Sequence, residues 1–277
     1  MSIVINWKGN LGNHAFQYFS AYIYCKKHNL KLLTKPSDKL LNIFQINDPN
    51  KETNEKKQCL DNKLITFKDY NNDDEIIYYG DKNYFFNDYF QNAEYINNNY
   101  IYLLENIKPV PYKCNLNYQI KENDILCILR IGDFIHSGYN SEVVHPDYFL
   151  NIIKKNQFNK IYFLIWSPND DSSIKKYLNF FKEYDTVLLK ENSNELFDFH
   201  ITNHFKNIAI TNSTFWWWSI FFTKHIENKT IYTPKYTGYF GIGNHFRSHG
   251  NHINNLWNIR NITIPIDNKF INLKEIN

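Results

Sequence analysis

An arginine at the end of a predicted buried strand is the first residue whose setting suggests chemistry. Arg130 follows the apolar run at 125–129 and precedes Gly132 and Asp133, where the chain turns. Ligands of parallel sheets bind where such strands end. A guanidinium fork can take two phosphate oxygens in one plane, which lysine cannot do. The alternative is a structural ion pair between Arg130 and Asp133.

A strand followed directly by a polar cap and a helix forms the second candidate site. Residues 208–211 are apolar and β-branched, and residues 215–225 are mostly aromatic and aliphatic. The residues between them, Asn212, Ser213 and Thr214, are all good helix N-caps. Free amides and the positive end of a helix dipole at such a point favour an anion. The alternative is an ordinary capped helix of the core.

Composition limits the class of protein. The chain has 277 residues, 43% hydrophobic and 18% aromatic, with a net charge of +3. This size and apolar content predict a globular protein with a proper core. The charges are interspersed, so nucleic acid is not an expected partner. We expect no signal peptide or membrane span, and therefore a cytoplasmic location.

The first part of the chain predicts a β–loop–α–β unit. A strand at 2–7, a Gly/Asn loop at 9–13, a helix at 15–28 and a strand at 30–34 are expected. A further strand is expected at 76–79, and the aromatic stretches 84–92 and 93–97 are expected to be helical. The Pro-Val-Pro sequence at 109–111 is the best linker candidate.

After this linker the pattern becomes a regular alternation of strands and helices. The expected strands are 124–131, 160–166, 186–189, 208–211 and 230–233. The expected helices between them are 145–155, 174–182, 194–203 and 215–225. Such an alternation predicts a doubly wound parallel sheet of the nucleotide-binding type. A late strand is expected at 259–264 in an Asn-rich tail.

Three stretches, in this order, resemble one known family. Residues 9–18, GNLGNHAFQY, resemble the N-terminal G-x-L-G-N-Q-x-F-Q-Y motif of the α-1,2-fucosyltransferases, glycosyltransferase family 11. Residues 128–133, ILRIGD, stand where that family has H-x-R-R-G-D. Asp198-Phe199 and the sequence NSTFWW at 212–217 resemble its D-[FL] and N-S-T-F-S-W-W segment.

The resemblance implies an α/β fold of the GT-B-like kind, two Rossmann-type domains with a cleft between them. Residues 1–111 would form an N-terminal domain on the acceptor side, with the GNLGN loop facing the donor. Residues 112–243 would bind the nucleotide-sugar, and the tail 244–277 would pack back on the domains. The implied reaction is inverting transfer of fucose from GDP-fucose to a glycan hydroxyl, with no cofactor and no obligatory metal.

The resemblance also assigns roles by position. Arg130 would hold the diphosphate and stabilise charge. The other predicted donor contacts are Gly12, Asn13, Asp198, Asn212, Ser213, Thr214 and Phe215. The predicted general base is Glu142, followed by Asp133 and then by His136 and His145. The histidines His14, His136 and His145 are the predicted acceptor contacts.

Four positions depart from the family motifs: Ile128, Ile131, Asn207 and Trp216. The single arginine of the ILRIGD motif is more similar to the protein O-fucosyltransferases, a related branch. Two alternatives therefore stay open. One is a transferase that uses another GDP-sugar, and the other is a non-catalytic relative that binds a nucleotide-sugar or a glycan.

Overall fold

The computed structural model describes residues 2–47, 64–67, 83–87, 89–132, 143–167, 171–189, 194–235 and 258–271. The chain divides into two compact units, Met1–Pro111 and Tyr112–Asn277. Each has its own sheet and its own core.

The described part of the first unit is an α/β layer built on a parallel sheet. Its strands are β1 (Ser2–Ile5), β2 (Lys31–Leu32), β3 (Phe44–Ile46), β4 (Leu64–Phe67), β5 (Asn83–Phe86) and β6 (Ile107–Pro109). Its helices are α1 (Leu11–His28), α2 (Asp38–Leu41), α3 (Ala93–Asn97) and α4 (Tyr100–Asn106). The parallel sheet has the order β2-β1-β5-β4, and β3 pairs with β6 in antiparallel fashion.

Helix α1 is the centre of the first unit. Phe16, Phe19 and Ile23 are all buried in it. Burial extends much further, because Gln17, Ser20 and most other residues up to Cys25 are buried as well. The helix contacts β1 and β2 on one side and α2, α3 and α4 on the others. A helix that is enclosed on most sides needs large apolar residues around its whole circumference.

Two expectations for the first unit are wrong. The stretch 84–92 was expected to be helical, but β5 occupies Asn83–Phe86 and pairs with both β1 and β4. Helix α1 begins at Leu11 and not at Ala15, so the second half of the predicted Gly/Asn loop is its first turn. The strand predicted at 76–79 lies outside the described residues.

The second unit follows the alternation that its sequence predicts. Its strands are β7 (Ile125–Arg130), β8 (Val143–Val144), β9 (Ile161–Trp166), β10 (Thr186–Leu188), β11 (Asn207–Ile210), β12 (Thr230–Pro234), β13 (Thr263–Ile266) and β14 (Phe270–Ile271). Its α-helices in the described ranges are α5 (Asp147–Asn156), α6 (Asp171–Leu178), α7 (Glu195–His200) and α8 (Thr214–Phe221). Short 3-10 helices follow at Asn179–Phe181, Ile201–His204 and Ile226–Asn228.

Six of these strands form one parallel sheet in the order β10-β9-β7-β11-β12-β13. Numbered along the chain, this order is 3-2-1-4-5-6, which is the order of the Rossmann fold. The late strand of the tail is β13, which pairs with β12 from Ile231↔Thr263 to Pro234↔Ile266. The described part of the tail therefore completes the sheet of the second unit.

The core of the second unit fills one face of this sheet. Cys127, Leu129, Phe163 and Ala209 are inaccessible to solvent and belong to one apolar cluster with residues of α5 and α6. Burial raises the pKa of the Cys127 thiol well above its ordinary value. Cys127 is therefore a packing residue of the core.

Candidate functional site

The order of the large sheet has one topological switch point, between β7 and β11. The strands β9 and β10 lie on one side of this point, and β12 and β13 lie on the other. Chain connections leave β7 and β11 in opposite directions, which opens a crevice beyond their carboxyl ends. The residues that follow the two strands are Ile131 after β7 and Thr211 after β11.

The two features singled out in the sequence meet at this switch point. The amide of Thr211 donates to the carbonyl of Ile128 at 3.1 Å. The amide of Arg130 donates to the Thr211 hydroxyl at 3.3 Å. The end of the arginine strand is thus hydrogen-bonded to the first residue of the turn that leads to Ser213. This is a suitable arrangement for an anion that contacts both.

Two isoleucines near Arg130, one within β7 and one just after it, are buried in the core. Ile128 and Ile131 have no solvent-exposed surface. These are the two positions where the motif that the sequence resembles has a histidine and a second arginine. Arg130 itself is only partly buried, at the edge where ligands bind. Strand β7 and the residue after it therefore present one guanidinium at this edge.

The turn between β11 and α8 is almost entirely closed to solvent. Thr211, Asn212, Ser213 and Thr214 have exposures of 0%, 0%, 3% and 7%. The Ser213 amide donates to the Thr211 carbonyl at 2.8 Å, and the Ser213 carbonyl accepts from Trp217 at 3.0 Å. The Ser213 side chain makes no capping hydrogen bond, although it occupies the N-cap.

The N-terminus of α8 has the chemistry of an anion site. The first amides of any helix lack acceptors within the helix, and the dipole places a partial positive charge there. No acidic residue stands in the first turn of α8. The Ser213 hydroxyl, which makes no capping hydrogen bond, is one more donor at the same end.

Packing fixes α8 in position. Trp217 and Trp218 are fully buried, and the Trp217 ring stacks on Phe221 with centroids 5.3 Å apart. The Ser219 hydroxyl donates to the Phe199 carbonyl at 2.6 Å and also lies 3.1 Å from the Thr202 hydroxyl. These bonds join α8 to α7 and to the 3-10 helix that follows it. The N-terminus of α8 is therefore held by buried groups on the neighbouring helices.

Asp198 lies on α7, the helix that the Ser219–Phe199 hydrogen bond joins to α8. The Asn194 side chain caps α7 by accepting from the Phe197 amide at 2.8 Å. Asp198 is 8% exposed. Desolvation and the charge of Asp198 together raise the pKa of Cys114 to about 11. The following residue, Phe199, makes an edge contact with the partly exposed ring of Phe215 at 5.9 Å.

In the first unit, the GNLGN stretch also lies at a switch point of a parallel sheet. It follows β1, which lies between β2 and β5. The buried side chain of Gln17 binds Lys8 twice, with Nε2 donating to the Lys8 carbonyl at 2.8 Å and Oε1 accepting from its amide at 3.1 Å. The motif glutamine therefore fixes the loop that precedes α1. The sequence motif contains Gln17 but does not by itself indicate this structural role.

The predicted donor contacts Gly12 and Asn13 lie in the first turn of α1. Gly12 is buried, and Asn13 accepts from the Gln91 side chain at 2.8 Å. Gly9 has a φ of +74°, and a Cβ added there would collide with the Asn13 side chain. The turn therefore requires glycine at position 9.

Gly9→Ala is expected to destabilise the protein by about 1–2 kcal/mol, the cost of left-handed backbone for a residue with a Cβ. Displacement of the Asn13 side chain adds to this cost. Urea unfolding measures it. The matched control is the same Gly9→Ala change made in an Asn13→Ala protein, which bears the backbone cost alone. Equal losses in the two backgrounds would show that the Asn13 contact has no weight.

The predicted acceptor contact His14 is mostly enclosed. It is 8% exposed, and its Nδ1 lies 2.9 Å from the Ser37 hydroxyl. Desolvation lowers its pKa, and the nearby charge of Lys39 lowers it further. The ring is therefore favoured in its neutral form, and it lies 4.8 Å from the ring of Trp7. Its part in acceptor binding stays a prediction.

His145 belongs to the second unit and is more accessible. Its side chain is 26% exposed, and its Nδ1 lies 3.3 Å from Asp147 Oδ2. The remaining predicted acceptor residue, His136, lies outside the described residues, as do Asp133 and Glu142. The structure therefore bears on the predicted donor residues more than on the predicted base.

An aromatic residue that was not singled out in the sequence stands beside Arg130. Trp166 ends β9 and is paired in register with Arg130. It is 40% exposed, and the Arg130 Cζ lies 5.8 Å from its ring centroid. An aromatic residue at the end of the strand next to β7 is the signal that could have identified it.

The sequence matches a known family over a range that contains all of these motifs. The family described as glycosyl transferase family 11 matches residues 2–241. The chain belongs to glycosyl transferase family 11. No curated protein and no solved structure is found to match it. The matched range contains the GNLGN stretch, Arg130 and the turn before α8, and it ends before β13.

Membership of glycosyl transferase family 11 makes this protein a glycosyltransferase, of a family whose general activity is fucosyl transfer. Its substrates are accordingly a nucleotide-sugar and a glycan. Within the described ranges, no group of three or more His, Cys, Asp or Glu is placed to hold a metal ion. Nor does any helix in that part of the chain have the length and apolar character to cross a membrane.

Proposed function

We propose that the protein transfers fucose from GDP-fucose to a hydroxyl of a glycan acceptor, in an α-1,2 linkage to galactose or a similar sugar. The proposal includes a GT-B-like architecture, inversion at the anomeric carbon and independence from metals and cofactors. One observation carries it: Arg130 and the turn 211–214 are hydrogen-bonded neighbours at the switch point of a Rossmann-type sheet.

The diphosphate is the part of the donor that this site suits. Transfer breaks the bond between the sugar and the β-phosphate, and negative charge develops on the departing GDP. Preorganised donors aimed at that charge lower the barrier. Arg130 supplies a permanent cation, while Ser213 and the first amides of α8 supply neutral donors. Together they provide the charge stabilisation that a divalent cation gives in other transferases.

The acceptor hydroxyl must lose a proton as it attacks the anomeric carbon, and Glu142 is the proposed base. It directly precedes β8 in the sequence EVVHP, which leads to α5. Glu142→Gln keeps the size of the side chain but removes its basicity. We expect turnover to fall about 10²–10⁴-fold, the usual contribution of a general base. Turnover at saturating GDP-fucose measures this effect.

Glu142→Gln should leave the affinity for GDP unchanged, since the base acts on the acceptor. The matched control is Glu195→Gln, an exposed carboxylate on the first turn of α7. Full turnover of Glu142→Gln would exclude this residue, and Asp133 would then be the next candidate for the base.

The departures at Ile128 and Ile131 favour a second candidate function. Both side chains are buried in the core, so neither can replace a polar residue that contacts the donor. A site with one guanidinium could accept another GDP-sugar, or could bind a nucleotide-sugar without transferring it. These alternatives predict different ligands and different turnover.

A thermal-shift series with GDP-fucose, GDP-mannose, GDP and UDP tests the proposal, because a ligand of the native state raises the melting temperature. We expect shifts with GDP-fucose and GDP and none with UDP. Release of GDP from GDP-fucose then separates an enzyme from a binding protein. A larger shift with GDP-mannose than with GDP-fucose would reject fucose as the donor sugar. The absence of any shift would reject the whole proposal.

A further inference from the structure

Trp166 and Arg130 are held side by side by the backbone. They are register partners on the adjacent parallel strands β9 and β7. The amide of Ile131 donates to the Trp166 carbonyl at 3.0 Å, which extends the pairing to the ends of both strands. Register partners on neighbouring strands point to the same face of a sheet. The two side chains are therefore directed to the same region by the sheet itself.

The geometry between the two side chains is that of a cation–π pair. The guanidinium carbon lies 5.8 Å from the ring centroid, within the distance at which an arginine is attracted to the face of an indole. The ring is 40% exposed, whereas the first four residues of β9 are all buried. A large exposed ring at the ligand-binding edge of a sheet is an apolar surface that ordinary core packing does not require.

We propose that Trp166 is a positioning residue, which holds the guanidinium of Arg130 in the orientation that binds the diphosphate. This inference rests on the proposed function, since it names how the same site is organised. An aromatic face attracts the face of a guanidinium. The N–H donors of arginine lie in the plane of the group and point outward from its edge. Contact with the ring therefore restricts the long side chain without forming hydrogen bonds to the donors that take phosphate oxygens.

The setting of Arg130 explains why such support is useful. Ile128 and Ile131 stand where the family motif has a histidine and a second arginine. Both isoleucines are buried in the core. The strand thus offers a single guanidinium for a doubly charged group. A long flexible side chain loses binding affinity when it must be ordered by the ligand, and preorganisation reduces that loss.

A double-mutant cycle on the affinity for GDP tests this inference. Four proteins are compared by calorimetry: wild type, Trp166→Leu, Arg130→Ala and the double variant. We expect Trp166→Leu to weaken GDP binding about 3- to 30-fold, the range of a cation–π contribution. In the Arg130→Ala background, the same change should have no further effect, since Trp166 acts through Arg130.

Conservative substitution and a matched surface variant complete the experiment. Trp166→Phe keeps an aromatic face and should restore most of the affinity, whereas Trp166→Met should behave like Trp166→Leu and serves in its place if that variant does not fold. Tyr118→Leu removes an equally exposed ring, 39% exposed, from the same unit and should leave GDP binding unchanged.

Two outcomes would overturn the inference. An equal loss from Trp166→Leu in both backgrounds would show that the ring contacts GDP directly or has no coupling to Arg130. Equal affinities of Trp166→Phe and Trp166→Leu would show that the aromatic face is irrelevant. Either result leaves the proposed function in place if wild type binds GDP, whereas failure of wild type to bind GDP rejects both.

Discussion

Arg130→Ala is expected to lose about 10³-fold in turnover, the scale of removing one preorganised electrostatic stabiliser. The arginine is the cation at the switch point, hydrogen-bonded through its amide to Thr211. Its removal leaves neutral donors at the turn to stabilise the charge of the departing GDP. The initial rate of GDP release at saturating donor and acceptor measures the effect.

Two further variants serve as controls for Arg130→Ala. Arg130→Lys keeps the charge but not the planar fork, so its turnover should fall between those of Arg130→Ala and wild type. Lys160→Ala removes a cation from the opposite edge of the same sheet, where it pairs with Asp185 at 3.2 Å, and should retain full turnover. Near-normal turnover in a folded Arg130→Ala protein would remove Arg130 from the chemistry.

Trp217→Ala is expected to cost about 3–5 kcal/mol of unfolding free energy, as a buried tryptophan replaced by alanine does. The side chain has no exposed surface. It stacks on Phe221 and meets the Trp218 ring at 4.7 Å. Loss of this ring leaves a cavity beneath the helix whose N-terminus forms the anion site. Chemical denaturation with a two-state fit measures the loss.

A second aromatic residue on the same helix is the matched control. Phe215 is partly exposed, so Phe215→Ala should cost clearly less than Trp217→Ala. An unfolding free energy of Trp217→Ala close to that of wild type would show that the helix is not anchored by this ring. Any loss of activity in Trp217→Ala should follow its unfolded fraction at the assay temperature.

The second unit could be predicted well because its signals are local. Each strand from β7 to β11 in the large sheet is a short, mostly apolar run, and a helix separates it from the next strand of that sheet along the chain. Arg130 and the turn after β11 could be expected to converge because both follow strands of one parallel sheet. Their actual adjacency depends on the strand order, which places β11 beside β7. The strand order depends on tertiary pairing and cannot be predicted from any single segment of the sequence.

Helix boundaries were less well predicted, because side chains distant in sequence decide them. Helix α6 spans Asp171–Leu178, so the three residues before the predicted start at 174 are already helical. Helix α1 begins at Leu11, where the bond of Gln17 to Lys8 holds the preceding loop. The Gly/Asn composition of that loop indicates a turn but not where the turn ends.

The first unit contains the largest error, and its cause is tertiary. The run 84–92 is rich in aromatic residues and has no clear period, so it could be a strand or a helix. Its first residues form β5 because β1 and β4 lie on either side and supply backbone partners. Trp166 was missed for a related reason. Its importance depends on the residue beside it in the next strand and not on its own neighbours in sequence.

A crystal structure of the protein with GDP would test the central claim most directly. We predict that the diphosphate lies beyond the carboxyl ends of β7 and β11. The Arg130 guanidinium and at least one donor of the Ser213–Thr214 turn should then lie within hydrogen-bond distance of its oxygens. A diphosphate bound elsewhere, or one that contacts only one of these two features, would contradict the account.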